Sequence, residues 1–438
     1  MMLLHMFQYA WLASSMQWLR KIYWVLFALL LVAAGYYIIA PVIRVHAAAL
    51  PGAVVPNNAP VVLLVSVGLS GGGLERSVLA QHEAFCAAGI RSILVVQEGA
   101  FIVPLARAKG LPMVLFGGFA MSLGDQVFFP ALTAALKKLL HAYGEAMVAI
   151  HCNSAREVFV AKRVVGKRSI PIIFTQHTLS PLRKSVRAMA DGLVGVSPRV
   201  VDGLQKCNQQ EGIQTPVVAV PPFFDTARFL NFITKESREA YFQQVFGLVL
   251  KPCPVLVKVA HFYADVACKN HPVLFHAMHE LIYKKGTPVQ VVLAGTGATM
   301  LAKYKKLVHA LGLDGYVHFV GQTEETPALF YHADIALLAG EKEAFGLVLA
   351  EGGMLKKPTI IADRAGAAGW LIEDNVTGFL FQTNNPGSLA DKIAYVLAHP
   401  ALAAMCGERL FHRVSGYFSA GHGVQKLLTF YQSCAKTH

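Results

Sequence analysis

Glu341-Lys342-Glu343-Ala344-Phe345-Gly346-Leu347-Val348-Leu349-Ala350-Glu351 runs from a charged loop into an apolar helix. A short apolar strand, residues 335–338, precedes it, and the residues after Gly346 read as a buried helix. Glu343 falls before that helix and Glu351 two turns into it, which separates them by about 10 Å. The amides of Ala344, Phe345 and Gly346 lie at the helix start, where unpaired N–H groups and the helix dipole favour a diphosphate. A carboxylate on each side of that point suits the hydroxyls of two sugars, because each accepts two hydrogen bonds at once. An E-x7-E pair alone arises by chance. Its strand–loop–helix setting gives it weight.

The same alternation extends upstream. Residues 255–260 form a strand, followed by His261, a loop with Asp265 and Lys269-Asn270-His271, and a helix from Pro272. Residues 289–294 form a strand ending at Gly295-Thr296-Gly297. Residues 316–320, ending at Gly321, and 359–361 supply further strands. Strands separated by helices of about 10–15 residues predict a parallel sheet with helices on both faces. Pro221-Pro222 stop regular structure and read as an interdomain linker.

A second set of such units precedes the linker. Residues 61–67 are a valine-rich strand, and Gly68-Leu69-Ser70-Gly71-Gly72-Gly73-Leu74-Glu75 follows. A helix over residues 76–88 and a strand over 92–96 complete a βαβ unit. Glycines here let the backbone approach an anion closely. A tight turn without a ligand is the other reading, since the G-x-G-x-x-G pattern with its acidic residue is absent. Strands over 146–150, 170–174 and 192–196 end at His151-Cys152-Asn153, Thr175-Gln176-His177 and Ser197. Ligands of open α/β sheets sit at such carboxyl ends. That makes His177, His151 and Asn153 site candidates, against the alternative of packed or capping histidines. No Ser-His-Asp or metal-ligand spacing supports a hydrolase.

The 438 residues suit two domains after an N-terminal appendage. A net charge of +13 accompanies 55% hydrophobic residues. With no zinc-finger, basic-helix or aromatic RNA-binding signature, the basic excess points to a membrane surface and phosphate, not nucleic acid. Seven widely spaced cysteines without C-x-x-C give neither a disulfide framework nor a zinc site. Residues 22–43 carry no charge and lie between Lys21 and Arg44. As a helix they span about 33 Å, enough to cross a bilayer core. A signal peptide cleaved near Val45-His46-Ala47 is the rival reading, opposed by the long lead and over-long apolar run. Arg20 and Lys21 before the span favour the C-terminal bulk on the far side. A donor made in the cytosol requires the opposite, and an in-plane helix removes the conflict.

Several pieces in order resemble glycosyltransferase family 4, the glycosyl transferases group 1, of the GT-B fold. They are Gly72-Gly73-Leu74-Glu75; residues 190–197; Pro222-Phe223-Phe224-Asp225 onward; Lys269-Asn270; Glu343 to Glu351; Lys357-Pro358; Gly366-Ala367; and Asn375 to Gly378. The resemblance covers roughly residues 61–400. It implies two Rossmann-like domains facing a cleft, behind an N-terminal transmembrane or membrane-associated helix. The division is 1–50 anchor, 51–60 linker, 61–220 acceptor-side domain, 221–414 nucleotide-sugar donor domain, and 415–438 a terminal helix returning to the first domain. It also implies transfer of a sugar from a nucleotide-sugar donor to a glycan or lipid-linked acceptor, with retention and with no metal or further cofactor. Lys269 would neutralise the diphosphate, and Glu351 would bind the ribose. Glu343 with the amides of Phe345 and Gly346 would hold the transferred sugar and phosphates. Gly72 and Gly73 would line the cleft, and His177 would contact the transferred sugar. Gly295 and His261 complete the donor-side set. The expected location is the inner membrane, with the catalytic domains on the cytoplasmic face. One departure matters: the family usually has an arginine beside the first C-domain strand, where His261 stands. Either Lys269 and the helix terminus suffice, another basic residue substitutes, or activity is reduced. A nucleotide-sugar epimerase and a catalytically inactive donor-binding scaffold are the competing functions.

Overall fold

The computed structural model describes residues 44–46, 59–68, 72–117, 121–123, 126–262, 269–366, 368–418 and 420–435. The apolar run 22–43 lies outside them, as do residues 69–71 of the glycine loop, Asp265 and Ala367. Among the described residues, no single helix is long and apolar enough to cross a membrane.

The N-terminal domain is built on an eight-stranded sheet. Its strands are β1 (Arg44–His46), β2 (Val61–Ser66), β3 (Arg91–Gln97), β4 (Met113–Phe116), β7 (Met147–Cys152), β8 (Ile172–Gln176), β9 (Gly192–Gly195) and β10 (Val217–Ala219). The order is β1-β4-β3-β2-β7-β8-β9-β10, and β5 (Met121–Leu123) and β6 (Gln126–Phe128) form a separate hairpin. All pairings in the large sheet are parallel except β1 with β4. The six residues of β2 are all buried, as expected for a strand covered on both faces by helices. The C-terminal domain carries β11 (Val255–Val259), β12 (Gln290–Ala294), β13 (Val317–Gly321), β14 (Ile335–Leu338), β15 (Thr359–Ala362) and β16 (Phe379–Phe381). They form a wholly parallel sheet in the order β13-β12-β11-β14-β15-β16.

In each sheet the strand order reverses beside a central strand, β2 in the first and β11 in the second, and helices start at the carboxyl ends of these and other strands of the same sheet. These are α1 (Gly73–Ala87), α2 (Ala155–Val165) and α3 (Pro198–Glu211) in the first domain. In the second they are α4 (His271–His279) and α5 (Leu347–Met354). The domains are joined by an aromatic seam: Phe224 of the linker meets Phe418 at 4.7 Å and Phe229 at 5.8 Å, and Phe345 meets Phe418 at 5.5 Å. The chain then crosses back. After α6 (Pro400–Tyr417), α7 (Ala420–Ala435) packs on the first domain. Val424, Leu427 and Tyr431 are buried in the same cluster as β2 and α1. A Cβ on Gly192 would lie 2.7 Å from the Cys434 sulfur, so only glycine lets α7 lie this close to β9.

Candidate active site in the interdomain cleft

The second domain supplies a cation and a carboxylate from opposite sides of its central strand. β11 ends at Val259, and the chain returns at Lys269 and enters α4 through Asn270, which has a left-handed backbone at φ +46°. Lys269 Nζ lies 2.5 Å from Glu343 Oε2. Asn270 donates to Asn384 Oδ1 at 2.6 Å, and Asn384 donates to Glu341 Oε2 at 3.0 Å. Glu341 also pairs with Arg364 at 3.0 Å. Both carboxylates of the 341–343 loop are therefore held. The loop turns into α5 at Gly346, whose φ of +92° is open to glycine. A Cβ there would stand 2.6 Å from Leu338 Cδ2. Gly366 wedges beneath the same loop, donating its N–H to the Glu343 carbonyl at 2.7 Å. Phe345 is buried, its ring edge-on to Trp370 at 5.7 Å.

Glu351 sits in the second turn of α5. Its Oε2 is sealed from solvent and has no hydrogen-bond partner among the described residues. Burial raises its pKa to about 7, against Arg228 and Arg76, which both lower it. Those two arginines meet at one carboxylate: Arg76 Nη2 donates to Glu324 at 2.6 Å, and Arg228 reaches it at 4.0 Å. Arg76 belongs to α1, Arg228 to the linker segment and Glu324 to the loop after β13, so this cluster ties the domains across the cleft above Glu351.

His261 and Gly295 meet at the neighbouring strand ends. His261 Nδ1 lies 3.0 Å from Thr296 Oγ1. Burial, then the charge of Lys269, lowers the His261 pKa. Gly295 donates to the Gly321 carbonyl at 2.8 Å, stitching the ends of β12 and β13.

The first domain faces this with its glycine loop. Gly72 donates to Glu75 Oε2 at 3.0 Å, and Glu75 is buried. A Cβ on Gly73 would contact Leu347 Cδ1 at 3.4 Å, so the starts of α1 and α5 meet across the cleft. His177, at the end of β8, lies 3.0 Å from Asn153 Oδ1 through its Nε2. Asn153 donates its own amide to the Val65 carbonyl at 3.1 Å, which leaves Oδ1 as acceptor. His177 therefore carries its proton on Nε2, which leaves Nδ1 as the acceptor nitrogen. Burial lowers its pKa to about 4, so it is neutral at physiological pH. The neighbouring loop is fixed by Glu157, which accepts from the amides of Val67, Asn153 and Ser154 at 2.8, 2.6 and 3.0 Å. His151 is bound at 2.5 Å to Tyr431 of α7 and at 2.5 Å to Thr175. It is a packed histidine beneath the cleft.

The structure thus joins Lys269 to Glu343, sets Phe345 and Gly346 between Glu343 and Glu351, and brings Gly73 against the start of α5. Sequence reading named Asn153 beside the two histidines and missed Arg76, Arg228, Glu324 and Lys258. Of these, Lys258 left a signal: it is the one charge in the apolar run Val255-Leu256-Val257-Lys258-Val259. The six described cysteines are free thiols.

Two parallel α/β domains that meet along their strand carboxyl ends, with the chain crossing back at its C-terminus, make up the GT-B architecture. Residues 254–413 match the family described as Glycosyl transferases group 1 and residues 71–228 match Glycosyltransferase Family 4, and the chain belongs to this family. It is similar to the D-inositol 3-phosphate glycosyltransferase 2 of Catenulispora acidiphila, 27% identical over 55% of this chain and 60% of that one. It is also similar to the poly(ribitol-phosphate) alpha-N-acetylglucosaminyltransferase of Staphylococcus aureus, 25% identical over 40% of this chain and 35% of that one. The chain therefore spans less than two thirds of these relatives. Anabaena HepE, solved in complex with UDP and glucose, superposes with a TM-score of 0.71 at 19% identity, covering 85% of this chain and 100% of that one.

Proposed function

We propose that this chain transfers a sugar from a nucleoside-diphosphate sugar to a glycan acceptor. The observation that carries the reading is the Lys269–Glu343 pair at the start of α5, with Glu351 two turns further in. A diphosphate at the α5 start draws Lys269 to itself and frees Glu343 for hydroxyls of the transferred sugar. Glu351 takes the ribose diol. The bond from the anomeric carbon to the diphosphate breaks with its electron pair leaving on phosphate. The acceptor oxygen bonds on the same face, and its proton passes to the departing diphosphate, so configuration is retained without a metal. The protein contributes position and charge. His177, with its lone pair on Nδ1, accepts from a hydroxyl of the transferred sugar.

The order of strand ends suggests where the acceptor lies. Passing from β12 through β11 and β14 leads from the Gly295 turn to Lys269 and Glu343, and β15 comes next. Opposite it, past β8, lies β9. Between the start of α3 and the loop after β15 is a hollow of about 510 Å³ lined by Arg199, Asp202, Asp363, Arg364 and Trp370. Two arginines, two aspartates and an indole offer balanced charge, paired donors and acceptors, and a stacking surface, which suit a saccharide. The apolar run 22–43 would hold the domains at the inner membrane on its cytoplasmic face, near a lipid-linked or cell-envelope glycan.

The test is turnover by the full-length chain in detergent with UDP-, GDP- and ADP-sugars and saccharide acceptors. Transfer from one donor is expected. Nucleotide binding with no transfer across the acceptor panel would sink the reading.

A second result follows from Glu351. Ribose hydroxyls favour its ionised form, whereas the free group titrates near pH 7. Ionisation is nearly complete at pH 8 and about a tenth at pH 6. The donor-affinity advantage of the wild type over Glu351→Gln should therefore grow about tenfold from pH 6 to pH 8. A ratio constant across that range, measured by calorimetry, would remove the ribose role.

A further inference from the structure

Lys258 is 1% exposed, in the middle of the C-domain's central strand, paired across to Leu293 of β12. Its ammonium donates to the backbone carbonyl of Lys269 at 2.7 Å. A buried lysine whose ammonium is held, among the described residues, by a neutral carbonyl is costly, since methionine would fill the same space with no charge to desolvate. Its placement is not random in the sheet. The carbonyl it grips belongs to the residue that reaches Glu343, one position before the left-handed turn at Asn270. The charged and titratable groups around it are Lys269 and Glu343 from the two loops and His271 from α4. His271 is itself fixed by the His261 carbonyl at 3.3 Å.

We propose that Lys258 is a positioning residue for donor binding: it holds the Lys269–Asn270 corner from below and supplies a second positive charge beneath the donor diphosphate. This rests on the donor reading given above. The second charge answers the weak cation at His261, which burial and Lys269 keep neutral. Without a donor, burial and then the charge of Lys269 pull the Lys258 pKa down to about 7, opposed by Glu343. At pH 8 the amine is then mostly neutral. A diphosphate at Lys269 brings negative charge over it and draws a proton from solvent onto its nitrogen.

The experiment is calorimetric titration of the full-length protein with UDP, GDP and ADP at pH 8, in buffers of different ionisation enthalpy. We expect uptake of more than about half a proton per bound nucleotide. Glu351 is already largely ionised at that pH, and the pKa values of His261 and His271 are both lowered, so these groups exchange little. Uptake should persist in His261→Gln and vanish in Lys258→Met. Lys258→Met should also raise the donor KM about tenfold with little change in kcat, while unfolding no more readily than the wild type. Nucleotide binding without proton uptake, or uptake that survives in Lys258→Met, would overturn the proposal. If Lys258→Met does not fold, uptake by the wild type and by His261→Gln still decides. Failure of all three nucleotides to bind would instead remove the donor reading, and the role of Lys258 with it.

Discussion

Lys269→Ala and Glu343→Ala are each expected to lower kcat/KM for the donor by about 10²–10³-fold, and the double variant by little more than the worse single one. Lys269 and Glu343 are one unit in the structure, 2.5 Å apart and 21% and 14% exposed. On the proposed donor reading, removing the lysine would leave the departing diphosphate without the cation assigned to it. It also leaves Glu343 without the partner that holds it beside Gly346. Removing the glutamate takes away the carboxylate that holds the Lys269 ammonium, while Lys258 still grips its backbone carbonyl. Either loss breaks the same arrangement, so the effects should not multiply. Lys269→Arg should not restore the rate, because a planar fork does not fit where a compact ammonium contacts Glu343 Oε2. Rate losses that multiply in the double variant would show two independent roles and discard the shared one.

Much of this architecture is legible in the chain, because each strand of a covered parallel sheet is a short apolar run and each ends in a glycine or polar cluster. The runs at 61–67, 255–260, 289–294 and 335–338 correspond to β2, β11, β12 and β14 within one or two residues. What escaped has a common cause. β4 and β16, four and three residues long, carry too little pattern to separate from loop. β1 joins the sheet by antiparallel pairing with β4, across more than 60 residues of chain. The contacts that assemble the site are also long in sequence: Lys269 to Glu343 spans 74 residues and Arg76 to Glu324 spans 248. Local propensity does not encode such pairs. The strand–loop–helix pattern singled out Glu343 and the family resemblance gave Lys269 its role, but neither pointed to Arg76 or Glu324. Lys258 was visible as a charge in an apolar strand. Its meaning appeared only when Lys269 came back over it.

Gly295→Ala is expected to destabilise the protein by about 3 kcal/mol or more, whereas Gly321→Ala should cost only about 1 kcal/mol. Both glycines close strands of the same sheet with positive φ, +157° and +75°. The difference lies in what a methyl group would meet. At Gly321 nothing among the described residues lies within 4 Å, so only the backbone preference is lost. At Gly295 the new Cβ would lie 2.0 Å from the carbonyl oxygen of Ala260 and 3.3 Å from the His261 nitrogen. Neither is the end of a flexible side chain. Relief requires β11 and β12 to part where Ala260 donates to the Ala294 carbonyl at 2.8 Å and Phe262 to the Thr296 carbonyl at 2.7 Å. That movement carries His261 and Thr296 with it, so donor KM should rise in Gly295→Ala under conditions where the protein is still folded. Urea midpoints for the two variants, with donor titrations below the transition, measure both effects. Equal midpoints would mean that the β11–β12 turn relaxes freely. The close approach of Gly295 to Ala260 would then not be what fixes His261 at the mouth of the cleft.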